Sequence, residues 1–242
     1  MLNYFNSHFN FFVFDGKPST DFGVMVFSHG AYSDPEPNES ETKIPGMNGV
    51  LHFWDGSFSE IIETYSVMVK GSNAVDIRER VERLRAWLLS KRKYCRLEDT
   101  LHPDYYRMGI YKGKSPVEYS GNEQMGKLEI EFKCKPQKFL KSGEFPIEAS
   151  NGAVIYNGTE FASKPLIRVY GTSGSINVGG VSVSINGISG HADIDCDLEE
   201  VAGYNDRTTL VNGKFPVLNP GQTNISFSGF SKVDVYPRWW TL

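Results

Sequence analysis

Residues 44–56 read IPGMNGVLHFWDG, and they pose a choice between a phosphate-cradling glycine loop and a bend between two strands. Pro45-Gly46 and Asn48-Gly49 are turn dipeptides that use the positive φ open to Gly and Asn. A phosphate loop of the usual kind lies between a strand and a helix and ends in Gly-Lys-Ser/Thr. Here no helix follows and no lysine stands at the required place. Val50, Phe53 and Trp54 lead into a strand instead, and Asp55-Gly56 is expected to turn the chain again. The stretch therefore predicts a hairpin.

Outward from it the pattern is mainly β. "NFFVFDGKPSTDFGVMVF" (10–27) reads as strand, turn, strand, with Asp15-Gly16 starting the turn. "SDPEPNES" (33–40) predicts an exposed loop. In "FSEIIETYSVMVKG" (58–71) Ile61, Glu63, Tyr65, Val67 and Val69 share one face of a strand, and Ile62, Thr64, Ser66 and Met68 the other. "GKLEIEFKCKPQKF" (126–139) alternates strictly, with Leu128, Ile130, Phe132 and Cys134 inward, until Pro136 stops it. "YCRLEDT" and "YYRMGIYKG" are further strand signals.

One helix is predicted, over 73–91. Ser72 or Asn73 caps it and Asp76 suits its N-terminal end. Ile77, Val81, Leu84 and Leu88 form one apolar stripe that Trp87 widens, as an amphipathic cover for a sheet. The basic run Lys91-Arg92-Lys93 to Arg96 complements the negative end of this helix.

"KSGEFPIEASNG" (141–152) reads as a linker, which divides the chain into a β domain with one helix, 1–140, and an all-β domain, 141–242. The second half shows no helical period. Its short strands, punctuated by Gly, Asn or Pro, predict a β-sandwich of about eight strands.

The 242 residues carry a formal net charge of −4 with both signs interspersed, which argues against a general nucleic-acid binder. Cys95, Cys134 and Cys196 are widely spaced and odd in number, so reduced thiols are expected rather than a disulfide framework or zinc site. The start, MLNYFNSHFNFFVFDGK, lacks the basic opening of a signal peptide, and no stretch approaches the ~20 apolar residues of a spanning helix. A soluble protein is expected, with no membrane partner.

Candidate chemistry is sparse. His8, His29, His52, His102 and His191 form no metal-binding pattern, and no GxSxG is present. Asp193, Asp195 and Asp197 fall on one face of a strand. Read functionally they would be a Ca²⁺ site or a pair of glycosidase carboxylates. Ile194, Cys196 and Leu198 fill the other face, so a solvated outer face accounts for the acids. Tyr105, Tyr106, Tyr111, Trp239 and Trp240 could stack on sugars, although strand aromatics more often serve cores and interfaces. No enzyme, cofactor or metal site is predicted.

Several stretches, in order along nearly the whole chain, resemble the distal tail protein (Dit) family of siphophages. They are "FVFDGKPSTDFGVMV", "IPGMNGVLHFWDGSF", "LRAWLLS" with "RLEDTLHPDYYRMGIYKG", "EIEFKCKPQKFL", and the C-terminal set "KPLIRVYG", "IDCDLEE", "GKFPVLNPGQTNISFSG" and "VDVYPRWWTL". The resemblance implies a non-enzymatic virion protein of the tail tip, made in the host cytoplasm. It implies a β-barrel-like N-terminal domain that closes a homohexameric ring, and a galectin-like C-terminal sandwich. The implied partners are further copies of the chain, the tail tube protein, the tail-tip hub or tail-associated lysin, and a receptor-binding protein. Larger family members carry an inserted carbohydrate-binding module, for which this chain is short. On this view residues 44–69 and the helix 73–91 supply much of the subunit contact, with Pro45, Gly46, Asn48, Gly49 and Trp54 as candidate interface residues on a hairpin arm. Three rivals remain open: a lectin-like adsorption protein that binds host cell-wall glycans, a tail hydrolase using the Asp193–Asp197 face, and a tube or hub protein from another tail position.

Overall fold

A computed structural model describes residues 9–29, 34–113, 116–119, 125–210 and 214–242. The start of the chain with His8, and Val211 to Gly213 within the expected "TLVNGKFPVL" strand, lie outside the described residues. The chain divides into two compact units, one running to Lys138 and the other spanning Phe139–Thr241.

The first unit holds β1 (Phe12–Phe14), β2 (Lys17–Pro18), β3 (Val24–His29), β4 (Pro37–Thr42), β5 (Leu51–Phe58), β6 (Ile61–Lys70), α1 (Ala74–Ser90), β7 (Cys95–Asp99), β8 (Tyr105–Tyr111), β9 (Glu118–Tyr119) and β10 (Met125–Cys134). The main sheet runs β2-β1-β7-β8-β10-β6-β3, with β9 beside β10 and β4-β5 as a separate pair. Its two ends meet where Val26 N–H donates to the Asn10 carbonyl at 2.7 Å, which curls the sheet toward a barrel. β6 and β10 pair without a break from Met125↔Lys70 to Cys134↔Ile61. Strict alternation fixes that register, since a one-residue slip would turn every apolar side chain to water. Leu128, Ile130, Phe132 and Cys134 are all buried, facing Ile61, Tyr65, Val67 and Val69 from β6 in the same core.

The helix forms as its sequence dictates. Asn73 accepts hydrogen bonds from Val75 N–H and Asp76 N–H, and Ile77, Val81, Leu84 and Leu88 are its buried stripe. Trp87 stacks on Phe22 with ring centroids 4.7 Å apart and on Phe12 at 6.2 Å. These contacts close the helix over the barrel's interior.

The strand, turn, strand reading of 10–27 is met: the Asp15-Gly16 turn leads into the short β2, and a 3-10 turn, Ser19–Phe22, carries the chain to β3, which pairs with β6. Two local expectations are corrected here. Part of the expected loop 33–40 is strand β4, because β5 supplies it with a partner. Asp55-Gly56 is an irregularity inside β5 rather than a turn: Gly56 takes φ +86° and the ladder shifts between Pro37 and Glu39.

The second unit begins within β11 (Lys138–Leu140). It contains β12 (Ile147–Ala149), β13 (Val154–Asn157), β14 (Leu166–Val178), β15 (Val181–Asp195), β16 (Glu200–Leu210), β17 (Gly221–Tyr236) and β18 (Trp240–Thr241). The expected linker is ordered structure, a 3-10 turn at Lys141–Glu144 followed by β12. Apart from β18, which pairs with β11, these strands form one antiparallel sheet in the order β12-β17-β14-β15-β16, with β13 also on β17.

Where punctuation suggested many short strands, long strands bend instead. β14 runs through Gly171 (φ +147°) with its register broken between Tyr170 and Ser173. Its buried residues switch phase there, from Ile167 and Val169 to Ile176 and Val178, so both halves feed one core. A Cβ on Gly174 would stand 2.5 Å from the Ser228 carbonyl, and one on Gly229 2.5 Å from that of Ser173. Glycine at both places lets β14 and β17 bend together at close range.

Candidate functional site

The feature of the first unit that its own core does not explain is the hairpin β4–β5. Among the described residues it pairs with no other strand, and every residue of β4 is exposed. At its tip Met47 N–H donates to the Ile44 carbonyl at 3.2 Å across Pro45 and Gly46, with Gly46 at φ +83°. Pro at the second position and a positive φ at the third make this a type II turn. Asn48 and Gly49 (φ +88°) complete the tip.

Register sorts the arm's side chains into two faces. Glu41↔His52 and Glu39↔Trp54 share one face; Thr42↔Leu51 and Ser40↔Phe53 share the other. The first face is tied up internally. His52 Nδ1 lies 3.5 Å from Glu41 and 3.7 Å from Glu39. Trp54 packs edge-on against Phe58 at 5.5 Å and donates Nε1–H to the Ser57 carbonyl at 2.9 Å. Below it Asp55 accepts from Ser57 N–H at 2.8 Å and from its hydroxyl at 2.6 Å, bonds that lower the Asp55 pKa. The second face is small hydroxyls with Leu51 and Phe53, the latter 54% exposed.

The sequence-predicted residues thus divide. Pro45, Gly46, Asn48 and Gly49 sit together at the tip, while Trp54 lies about 10 Å down the strand from Leu51 at β-strand rise. Leu51 and Phe53 lie within the expected contact stretch 44–69 but were not singled out as candidates. Their signal was available in the alternation of β5 against β4, once "SDPEPNES" is allowed to be a strand.

Elsewhere the candidate chemistry resolves into structure. The aspartates of β15 are not simply solvated. Arg168 on β14 grips Asp193 with Nε and one terminal nitrogen at 2.7 and 2.8 Å, and Arg238 grips Asp195 at 2.7 and 2.8 Å. The Arg238 pair, with backbone donors from Leu198 and Asp197, holds the Asp195 pKa at about 2. Trp240 stacks on Phe161 at 4.4 Å, Tyr111 packs on Phe132, and Tyr106 lies under the Arg96 guanidinium. The three cysteines are free and buried, and burial pushes the Cys134 and Cys196 thiols up to about 12. Among the described residues no group of three or more His, Cys, Asp or Glu could hold a metal ion, and no helix is long and apolar enough to cross a membrane.

One buried ion pair was also missed. Glu63, on the inward face of β6, lies 3.2 Å from Arg107 beside a cleft of about 110 Å³, where Tyr65 donates to Asp99 at 3.0 Å. Burial first, then the charge of Asp99, raises the Tyr65 pKa well above its ordinary value.

Residues 20–134, within the first unit, match the phage tail protein RIFT-related domain. Over 96% of its length, and 99% of the other chain's, the chain is similar to Dit (gp 19.1) of phage SPP1, described as a paradigm of the hub adsorption apparatus in phages infecting Gram-positive hosts, with a TM-score of 0.74 at 18% identity. Its fold is that of a siphophage distal tail protein. A chain of the phage P2 baseplate in its Ca-activated conformation is similar at TM-score 0.53 and 11% identity, over 93% of this chain and 96% of that one. No curated protein matches the sequence.

Proposed function

We propose that this chain is a tail-tip structural protein that assembles as a homohexameric ring and joins the tail tube to the adsorption apparatus. The observation that carries this reading is the arm: a two-stranded hairpin with an apolar face and no core of its own. A hairpin of this kind is marginal in water alone, and an exposed apolar strand is a site for association. The shared fold supports the tail-tip position, and the tail tube protein, a hub or lysin protein and a receptor-binding protein are the partners it would adjoin. The tip residues Pro45, Gly46, Asn48 and Gly49 place the arm, and residues 44–69 with α1 form much of the subunit contact.

Light scattering after size exclusion tests the ring directly. Six copies of 27.2 kDa give about 163 kDa, a closed cyclic assembly. A species of that mass is the expected result, and it should disappear when residues 45–49 are deleted. A monomer across the accessible concentration range would overturn self-assembly into a ring.

A further inference from the structure

Six described residues are an asparagine or aspartate followed directly by glycine: Asp15, Asn48, Asp55, Asn151, Asn157 and Asn186. Asn212-Gly213 lies outside the described residues. In such a pair the glycine nitrogen can attack the side-chain carbonyl carbon of the residue before it, with no side chain of its own in the way. The rate of an intramolecular step of this kind is set by how often the two atoms meet in reacting geometry. The fold denies that geometry to five of the six. Asp15 and Asp55 are held as carboxylates, poor targets for a nucleophile, by Lys91 at 2.7 Å and by the Ser57 N–H and hydroxyl. Asn151 accepts from Phe227 N–H at 2.9 Å, and the Gly152 N–H beside it donates to the Ile225 carbonyl at 2.9 Å. Asn157 is 2% exposed, its Nδ2 donating to the Phe161 and Leu218 carbonyls and its Oδ1 accepting from the Thr159 N–H and hydroxyl. Asn186 is exposed, but its backbone pairs with Ser173 on β14 and with Arg207 on β16, which stops the peptide rotating toward the side chain. Asn48 differs on each count. It and Gly49 are exposed and lie outside any strand. Among the described residues nothing bonds to the Asn48 amide or to the Gly49 N–H. A Cβ on Gly49 would meet nothing within 4 Å, so a ring closing there has open space around it.

We infer that Asn48 is a self-modification site, at which the folded chain converts its own asparagine to aspartate and isoaspartate with water as the co-reactant. The Gly49 nitrogen forms a bond to Cγ of Asn48 and gives up its proton to water. The Cγ–Nδ2 bond breaks, ammonia leaves, and a succinimide ring closes. Water then adds to one of the two ring carbonyls and opens it. Opening at Cγ gives aspartate, and opening at the main-chain carbonyl gives isoaspartate. No oxidant, metal or second protein is needed, and the step is independent of the ring reading above. The other five residues keep their side chains until the fold opens locally. The neutral amide becomes a carboxylate on an arm that holds five acidic side chains and one lysine between residues 34 and 58. The isoaspartate product also lengthens the backbone at the tip, beside the Pro45-Gly46 turn. Age thus changes the charge and shape of the arm's tip while the two cores stay as they are.

The test holds full-length protein at mildly alkaline pH, which favours the attacking nitrogen, and samples it over time. Peptide mapping by mass spectrometry reads the exchange of the amide for a carboxyl at Asn48, Asn151, Asn157 and Asn186, and labelling by an isoaspartyl methyltransferase reads the isomer. Conversion at Asn48 should run at least about tenfold ahead of the other three, the factor that an opening cost of about 1.4 kcal/mol imposes on the pinned sites. The order should hold in monomeric and assembled fractions alike, because the bonds that pin the other three belong to each copy. In strong denaturant the four rates should converge, since glycine follows every one of them. Equal rates in the folded protein, or a faster site elsewhere, overturn the inference. A lead at Asn48 that persists in denaturant overturns it too, by assigning the reaction to neighbouring side chains rather than to the fold. Asn48→Gln, whose longer side chain closes the ring poorly, should abolish the fast gain of negative charge with unfolding unchanged. A fast gain that remains in that variant would place the reaction at another residue.

Discussion

β5 and β10 are both strands with large apolar side chains, yet one is exposed at every residue but its last and the other is half core. Phe53 and Trp54 are 54% and 53% exposed, whereas Phe132 is fully buried. Hydrophobicity alone does not separate them. β10 has a pairing partner along its full length and a core beneath it. β5 has only β4, and together they have a face but no layer to lay it on. A strand's environment is thus set by what its neighbours bury, and an exposed apolar strand is a candidate surface for another molecule.

Matched truncations break this comparison most sharply. Phe132→Ala should cost about 3–5 kcal/mol of unfolding free energy, as deletion of a fully buried aromatic does. Phe53→Ala should leave monomer unfolding within about 0.5 kcal/mol of wild type and lower only the assembled fraction. Denaturant titration of both variants, with light scattering on the second, measures the difference. Equal destabilisation by the two would mean that the arm packs on its own barrel.

The second unit offers a comparison by charge rather than by apolar surface. Asp195 is held by Arg238 and has a pKa of about 2 when folded, below its ordinary 3.8. A depressed carboxyl stabilises the fold above its unfolded pKa and loses that contribution as pH falls through the folded one. Stability from this pair is therefore full above about pH 4 and gone near about pH 2. Arg238→Met should cost about 1–3 kcal/mol at neutral pH, by leaving a part-buried carboxylate without its donors. It should also flatten the acid limb of the stability curve between those pH values. An unchanged acid limb would assign the acid response to other carboxylates.

Legibility followed the same line between local and distant causes. α1 could be read almost to the residue, because a cap at Asn73 and a stripe at Ile77, Val81, Leu84 and Leu88 are properties of neighbouring sequence. β10 could be read because its alternation is unbroken. The arm's turn was visible in Pro45-Gly46, but β4 was not: "PNESET" has no strand character until β5 lies beside it. The bent strands of the second unit were misread for a related reason. Glycine serves tight turns and bulges through the same positive φ, so Gly171 and Gly56 look in sequence like the ends of strands. Only close approach, as between Gly174 and Ser228, shows which use is made. The groove of about 890 Å³ that brings Val13 and Met25 together was invisible for want of topology, since it exists only where the sheet's two ends meet.

A cap is worth less than a core aromatic or a buried charge pair. Asn73→Ala removes the acceptor of two helix N–H groups and should cost about 1 kcal/mol in thermal or chemical unfolding. Because α1 closes the barrel, that loss should appear as lower global stability, unlike any loss within the arm. A variant with unchanged unfolding but faster local exchange in the first turn of the helix would show instead that the N-terminal turn frays independently.

The smallest effect on folding, and the finest test of the arm, is Gly46→Ala. Nothing lies within 4 Å of the position a Cβ would take, so the substitution meets only the cost of φ +83°. For a non-glycine residue that cost is about 1–2 kcal/mol. In a core turn it would be felt by the whole unit. Here the turn caps a hairpin that shares no side chain with the barrel core, so the arm can relax its tip without unfolding anything else. Global unfolding should stay within about 0.5 kcal/mol of wild type. Assembly should weaken by about fivefold or more, since 1.4 kcal/mol is a factor of ten in an association constant. If assembly is untouched, the tip's conformation is irrelevant to the contact, and the binding must be carried by the strand face lower down, at Leu51 and Phe53. If global stability falls with it, the arm is part of the folding unit and the contrast between β5 and β10 is one of degree.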